Sequence, residues 1–149
     1  MEKNKVTLNR VLTASPEKVF RAFSDADAMA YWLPPFGFVC KVHQMDFKVG
    51  GVFKMSFTNF TTGNGHSFGG EYLEIIPNRS LKYTDKFDDP NVPGEIATTV
   101  KLSPVSCGTE LHITQTGIPD MIPTEMCYLG WQESLEKLKK LVEPNIPDA

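Results

Sequence analysis

Residues 123–142 read PTEMCYLGWQESLEKLKKLV. Their apolar members Cys127, Tyr128, Trp131, Leu135, Leu138, Leu141 and Val142 recur at spacings of three and four, the period of a helix with one buried stripe. Pro123 suits the first helical turn and Pro144 lies just beyond the end. Glu133 with Lys137 and Glu136 with Lys140 stand four apart with the acid first, so the opposite face is expected to be solvated and laced by pairs worth a few tenths of a kcal/mol each. This is the longest helix the sequence offers, and what it packs against decides the fold.

Upstream of it the period changes to two. Val6, Leu8, Arg10 and Leu12 alternate with Thr7, Asn9, Val11 and Thr13, as a strand does. Similar runs recur at 38–46, 51–60, 67–76, 79–87, 95–103 and 108–116, with turn signals between them such as TTGNG at 61–65 and PNR at 77–79. Short turns join neighbouring strands antiparallel. Between the first two strands, Ser15-Pro16-Glu17 reads as a cap, a first-turn proline and a first-turn acid, followed by Val19, Phe20 and Phe23 on one face of a short helix. A second short helix runs from Asp25 or Asp27 through Tyr31, with Met29, Trp32 and Leu33 on one side, until Pro34-Pro35 stops it.

The order β-α-α-β-β-β-β-β-β-α predicts an α+β architecture: a curved seven-stranded antiparallel sheet wrapped around a long C-terminal helix, with two short helices between strands one and two. A chain of 149 residues is expected to be a single domain over 1–149 that buries about 70% of its unfolded surface. Lys and Arg number 15 against 18 Asp and Glu, a net charge of −3 with no run of one sign, which argues against nucleic-acid partners. The opening MEKNKVTLNR has no apolar core, and no run approaches the ~20 residues of a membrane span, so a cytoplasmic protein with no membrane partner is expected. Three cysteines, Cys40, Cys107 and Cys127, with no CxxC spacing suggest reduced thiols and no zinc or other metal site.

The segments ASPEKVFRAFSDADAMAYWLPP, GGVFKMSF, GGEYLEIIPNRSLKYTDKF, GTELHITQTGI and GWQESLEKLKKLV, met in that order across about residues 5–142, resemble the START-like or SRPBCC helix-grip superfamily. Within it they are similar to the branch of the activator of heat shock protein 90 ATPase homologues. The resemblance implies a single START-like domain that binds a small hydrophobic or amphipathic molecule between helix and sheet, or a co-chaperone-like domain in stress response with a chaperone as partner. Some relatives are cyclases or hydrolases. The resemblance does not extend to the separate N-terminal domain of the two-domain activator, so a single START-like domain is expected.

Large apolar residues mark the concave strand faces: Phe53, Met55 and Phe57; Leu81 and Tyr83; Val100 and Leu102; Leu111 and Ile113. One further step along these rows brings in Asn59, Asp85, Thr98 and Gln115 as candidate ligand contacts. Asp85 either ends its strand in solvent or is a buried carboxyl whose pKa is raised. Trp32 and Phe36, in AMAYWLPPFG at 28–37, are expected to form the lid or rim of a cavity, with the Trp32 N–H meeting water. Tyr128 and Trp131 would line it from the long helix, Trp131 as core.

Nucleophilic catalysis needs a base beside Cys or Ser. His43, His66 and His112 all read as surface histidines, His66 in a glycine-rich turn, and Cys127 as a core thiol. No catalytic constellation and no cofactor emerges. The expected ligand set is thus Trp32, Phe36, Phe53, Met55, Phe57, Tyr83, Asp85, Thr98, Gln115, Tyr128 and Trp131, in a monomer or homodimer whose partner is a small apolar molecule. A chaperone-binding module, and a cyclase- or hydrolase-like enzyme using Asp85 or a cavity water, remain the alternatives.

Overall fold

A computed structural model describes residues 4–148; residues 1–3 and 149, which the expected domain also spans, lie outside the described residues. The elements are β1 (Val6–Leu12), α1 (Pro16–Ser24), α2 (Ala26–Trp32), β2 (Phe38–Met45), β3 (Val52–Asn59), β4 (Gly65–Ile76), β5 (Ser80–Phe87), β6 (Ile96–Val105), β7 (Gly108–Thr116) and α3 (Thr124–Val142). The strands form one antiparallel seven-stranded sheet in the order β1-β7-β6-β5-β4-β3-β2. From β2 to β7 each strand pairs with its sequence neighbour, while β1 crosses to the far edge and pairs with β7, Leu8 opposite Ile113. The sheet curls into a half-barrel around α3, the helix-grip arrangement.

Local chemistry sets the boundaries. Ser15 Oγ accepts from the Lys18 amide at 3.2 Å and Pro16 opens α1, satisfying a donor with no partner in the helix. Asp25 serves two helices: its amide closes α1 on the Arg21 carbonyl at 3.0 Å, and its carboxylate caps α2 through the Ala28 amide at 2.9 Å. The β4–β5 hairpin turns at Pro77-Asn78, with Asn78 at φ 66° and the Arg79 amide bonded to the Ile76 carbonyl at 3.0 Å, a proline-first turn with a left-handed third residue.

The core lies between the concave sheet face and the helices. Val100, Leu102, Leu111 and Ile113 from the sheet share one buried core with Leu135, Leu138 and Val142 of α3. Arg10, on the inward side of β1, reaches Glu136 of α3 at 3.2 Å. The expected solvated pairs of α3 are therefore partly redirected. Glu136 binds Arg10, while Glu133 and Lys137 hold the segment after α2: the Phe36 amide donates to Glu133 Oε1 at 3.0 Å, and Lys137 Nζ donates to the Pro34 carbonyl at 3.0 Å. Ser134 Oγ adds a bond to the Leu33 carbonyl at 2.5 Å. Two consecutive prolines offer carbonyls and no N–H groups, and three α3 side chains complete the hydrogen bonding around them. Among the described residues, no helix is long and apolar enough to cross a membrane.

Candidate functional site

Where the curled sheet leaves α3 near its first turns, a cavity of about 230 Å³ opens. Every strand from β3 to β7 contributes to its wall: Phe53, Met55 and Phe57; His66, Phe68 and Tyr72; Leu81, Tyr83, Asp85 and Phe87; Ile96; and Gln115. The helical side supplies Phe23, Met29, Leu33, Pro35, Ile122, Cys127, Gly130, Trp131 and Ser134. Phe23, Met55 and Leu81 at one end are fully buried, whereas His66 is exposed and marks the mouth.

Aromatic rings give the wall its shape. Phe57 meets Phe68 edge-on at 4.8 Å, and Phe53 stands at 88° to Tyr83, 5.6 Å away. Such edge contacts are the favoured aromatic geometry and hold the rings in place. Gly70 lets β4 run close to β5 beside Asp85: a Cβ there would fall 1.8 Å from the Thr84 carbonyl oxygen, a contact no other residue could make.

Polar groups on this wall are few. Asp85 Oδ1 is sealed from solvent and has no hydrogen-bond partner. Burial pushes its carboxyl up to about 7, against the backbone amide of Lys86, which favours the charged form. Burial, and next the charge of Asp85, raises the Tyr83 hydroxyl above its ordinary range, opposed by a hydrogen bond with Thr98. Tyr72 is raised by burial and then by Asp46, the Cys127 thiol by burial, and the His66 imidazole is lowered by burial. Gln115 Nε2 donates to Thr98 Oγ1 at 3.0 Å. Among the described residues no lysine or arginine lines the cavity, and no three His, Cys, Asp or Glu side chains cluster to hold a metal ion.

Of the residues singled out from sequence, the structure brings Phe53, Met55, Phe57, Tyr83, Asp85, Gln115 and Trp131 together on this wall. Four lie elsewhere. Trp32 is 0% exposed, and its indole N–H donates to the Ala22 carbonyl at 2.9 Å instead of to water, so the ring is core between α1 and α2 and not a rim. Phe36 is 54% exposed and off the wall, because the bond from its amide to Glu133 turns the chain outward past Pro35. Thr98 is buried behind Gln115, which it anchors. Tyr128 faces β1, its hydroxyl accepting from the Thr7 amide at 3.2 Å. Asn59 folds back on its own turn and accepts from the Thr61 amide at 2.9 Å.

Other departures concern residues read as surface or overlooked. His66 is exposed, but β4 begins at Gly65, so the ring belongs to a strand and stands against Phe57 and Phe87 at 5.8 and 5.6 Å. Phe87 extends the row Leu81, Tyr83, Asp85 by one step, and Phe68 with Tyr72 flanks Gly70 on one face of β4; the same alternation could have found all three. Phe23, Met29 and Leu33 carried no such signal, because their reach into the cavity depends on how α1 and α2 dock. Cys40, Cys107 and Cys127 are unpaired; burial raises Cys40 to about 11, with Lys137 opposing.

Comparison with known proteins places this geometry in a lineage. The model of the family described as activator of Hsp90 ATPase homolog 1-like protein matches residues 13–143. A crystal structure of a Chromobacterium violaceum protein superposes with a TM-score of 0.95 at 56% identity, covering 97% of this chain and 100% of the other. A Staphylococcus epidermidis protein solved by NMR gives 0.82 at 20% identity over 100% and 95% of the two chains. A Rhodobacter sphaeroides crystal structure gives 0.81 at 20% identity over 94% and 92%. These last two share the fold. Among curated proteins, no relative matches the chain.

Proposed function

The chain belongs to the activator of Hsp90 ATPase homolog 1-like family, and on that premise we propose that it is a cytoplasmic binding protein for a small hydrophobic or amphipathic molecule held between the curved sheet and α3. The observation that carries the reading is the cavity itself: about 230 Å³ walled by aromatic and aliphatic side chains from five strands and three helices, with Asp85 and Gln115 as interior polar groups. Preformed apolar space with a few placed polar groups is what small-molecule sites are made of. The volume sits just below the ~300 Å³ lower end of drug-sized sites, which points to a compact ligand. Trp131, Phe53, Met55, Phe57 and Tyr83 would supply the contact area, and Asp85 and Gln115 the orientation.

Gly130 provides the test. It lies on the wall in α3, and a Cβ built there meets nothing within 4 Å. Gly130→Leu should fill the chamber without disturbing the backbone, while the loss of a mid-helix glycine favours the helix by up to about 1 kcal/mol. Titration with the neutral fluorophore N-phenyl-1-naphthylamine is expected to show saturable binding to the wild type and loss of that binding in Gly130→Leu, with folding intact. Equal affinity in both proteins would remove the cavity as the binding site.

A second reading, a chaperone-interacting module, draws on the family description and on Met121, Met126 and Leu129, which expose apolar side chains around the start of α3. A shift in the ATP hydrolysis rate of purified Hsp90 on addition of this chain, abolished by Met126→Ser with Leu129→Ser, would favour it.

A further inference from the structure

A carboxyl group with one unpartnered oxygen lines a mostly apolar chamber that holds no lysine or arginine among the described residues, and this asymmetry selects among ligands. We propose that the cavity takes a compact apolar molecule bearing an amine, with the ammonium donating to Asp85, and that it discriminates against carboxylic acids of the same shape. The proposal rests on the cavity being a binding site and goes further by naming the ligand's polar group.

Three observations converge on it. Asp85 Oδ1 is buried and accepts no hydrogen bond, and a buried acceptor left unmade is costly, so a ligand that supplies a donor recovers that cost on binding. Gln115, across β6 from β5, has its amide nitrogen held by Thr98 through one N–H, and its carbonyl oxygen is a second acceptor on the wall. Finally, the wall carries no lysine or arginine among the described residues, and burial lowers the His66 imidazole, which favours its neutral form. No lysine or arginine on the described wall offsets a ligand carboxylate, and the ionised Asp85 repels one. An ammonium forms the charge-assisted bond that Asp85 lacks, and its apolar body replaces water against Phe53, Phe57 and Trp131.

The experiment uses three probes on one naphthalene body with substituents of similar size: 2-(aminomethyl)naphthalene, 2-ethylnaphthalene and 2-naphthoic acid, titrated into the full chain at pH 8 with competition against N-phenyl-1-naphthylamine. The amine is expected to bind about tenfold or more tighter than the hydrocarbon, the worth of one hydrogen bond to a charged group, and the acid weakest. Asp85→Asn should bring the amine down to the level of the hydrocarbon measured in the same variant. In the wild type the same levelling should occur at pH 5.5, where Asp85 is protonated; of the other titratable groups on the wall, burial raises Tyr72, Tyr83 and Cys127 and lowers His66, so Asp85→Asn is measured at both pH values to separate Asp85 from His66. If hydrocarbon and amine bind alike at pH 8, or the acid binds best, the inference is overturned and the cavity reading stands. If none of the three binds, the cavity reading itself is overturned.

Discussion

The indole N–H of Trp32 donates to the carbonyl oxygen of Ala22 at 2.9 Å, and the ring meets Phe23 edge-on with centroids 4.8 Å apart. Ala22 stands in the last turn of α1, where carbonyls have no further partner along the helix. One helix thus caps its neighbour through a side chain. Trp32→Ala is expected to destabilise the protein by about 3–5 kcal/mol, and Trp32→Phe, which keeps a ring and removes the donor, by about 1–3 kcal/mol. Urea unfolding measures both; a loss under about 1 kcal/mol for Trp32→Ala would take Trp32 out of the core.

The two tryptophans should report differently on ligand. Trp131 lines the cavity and Trp32 does not. In Trp32→Phe, where Trp131 is the remaining tryptophan, N-phenyl-1-naphthylamine should quench indole emission by energy transfer at contact distance and respond with the affinity of the wild type. Affinity weakened tenfold in that variant, with folding retained, would return Trp32 to the binding site.

Asp85 ties stability to pH. An unfolded aspartate ionises near pH 4, whereas burial keeps the native Asp85 carboxyl protonated up to about 7. Between those values the native state holds a proton the unfolded chain has released, so stability falls as pH rises through the window and stays lower above it. Asp85→Asn cannot ionise and should lack this decline, which makes it more stable than the wild type at pH 8. Tyr83, whose shift Asp85 contributes to, is raised out of this window, and His66, Tyr72 and Cys127 line the same cavity in both proteins. A stability difference that does not change between pH 4 and 8 would show Asp85 to be solvated.

The strap of α3 side chains around Pro34-Pro35 should matter unequally. Ser134 is 3% exposed and bonds the part-buried Leu33 carbonyl, so Ser134→Ala removes that acceptor's donor at a site shielded by the helix and is expected to cost about 1 kcal/mol or more. Glu133 holds the exposed Phe36 amide, which water can satisfy in its absence, and Glu133→Ala should cost less. Thermal unfolding of the two variants gives the order, and the reverse order would contradict the strap.

Much of this was legible in the sequence because two periods do not resemble each other. The three-and-four spacing of Trp131, Leu135 and Leu138 and the alternation of Phe53, Met55 and Phe57 decide helix and strand independently of context. Alternation even placed Asp85 and Gln115 on the wall, since a strand's faces are fixed by parity. It left open whether Asp85 met solvent or protein, which depends on how β4 closes over it at Gly70. Trp32 and Phe36 were misplaced for another reason. They sit where two helices and a proline turn dock, and the direction of a side chain there is set by tertiary hydrogen bonds to Ala22 and Glu133 that no local pattern encodes. The α3 charges misled in the same way: spacing suggested Glu133–Lys137 pairing, and the unsatisfied backbone around Pro34 took both.

The sheet order also has a kinetic meaning. From β2 to β7 every pairing closes a short loop, and each such hairpin can zip on its own. The pairing of β1 with β7 instead spans most of the chain and bears the closure entropy of a long loop. Since β1 leads directly into α1 and α2, whose Phe23 and Met29 wall the cavity, the chamber cannot exist until that last strand has arrived. Competence to bind should therefore appear in a refolding experiment only with the slowest phase, after the six-stranded meander has already formed.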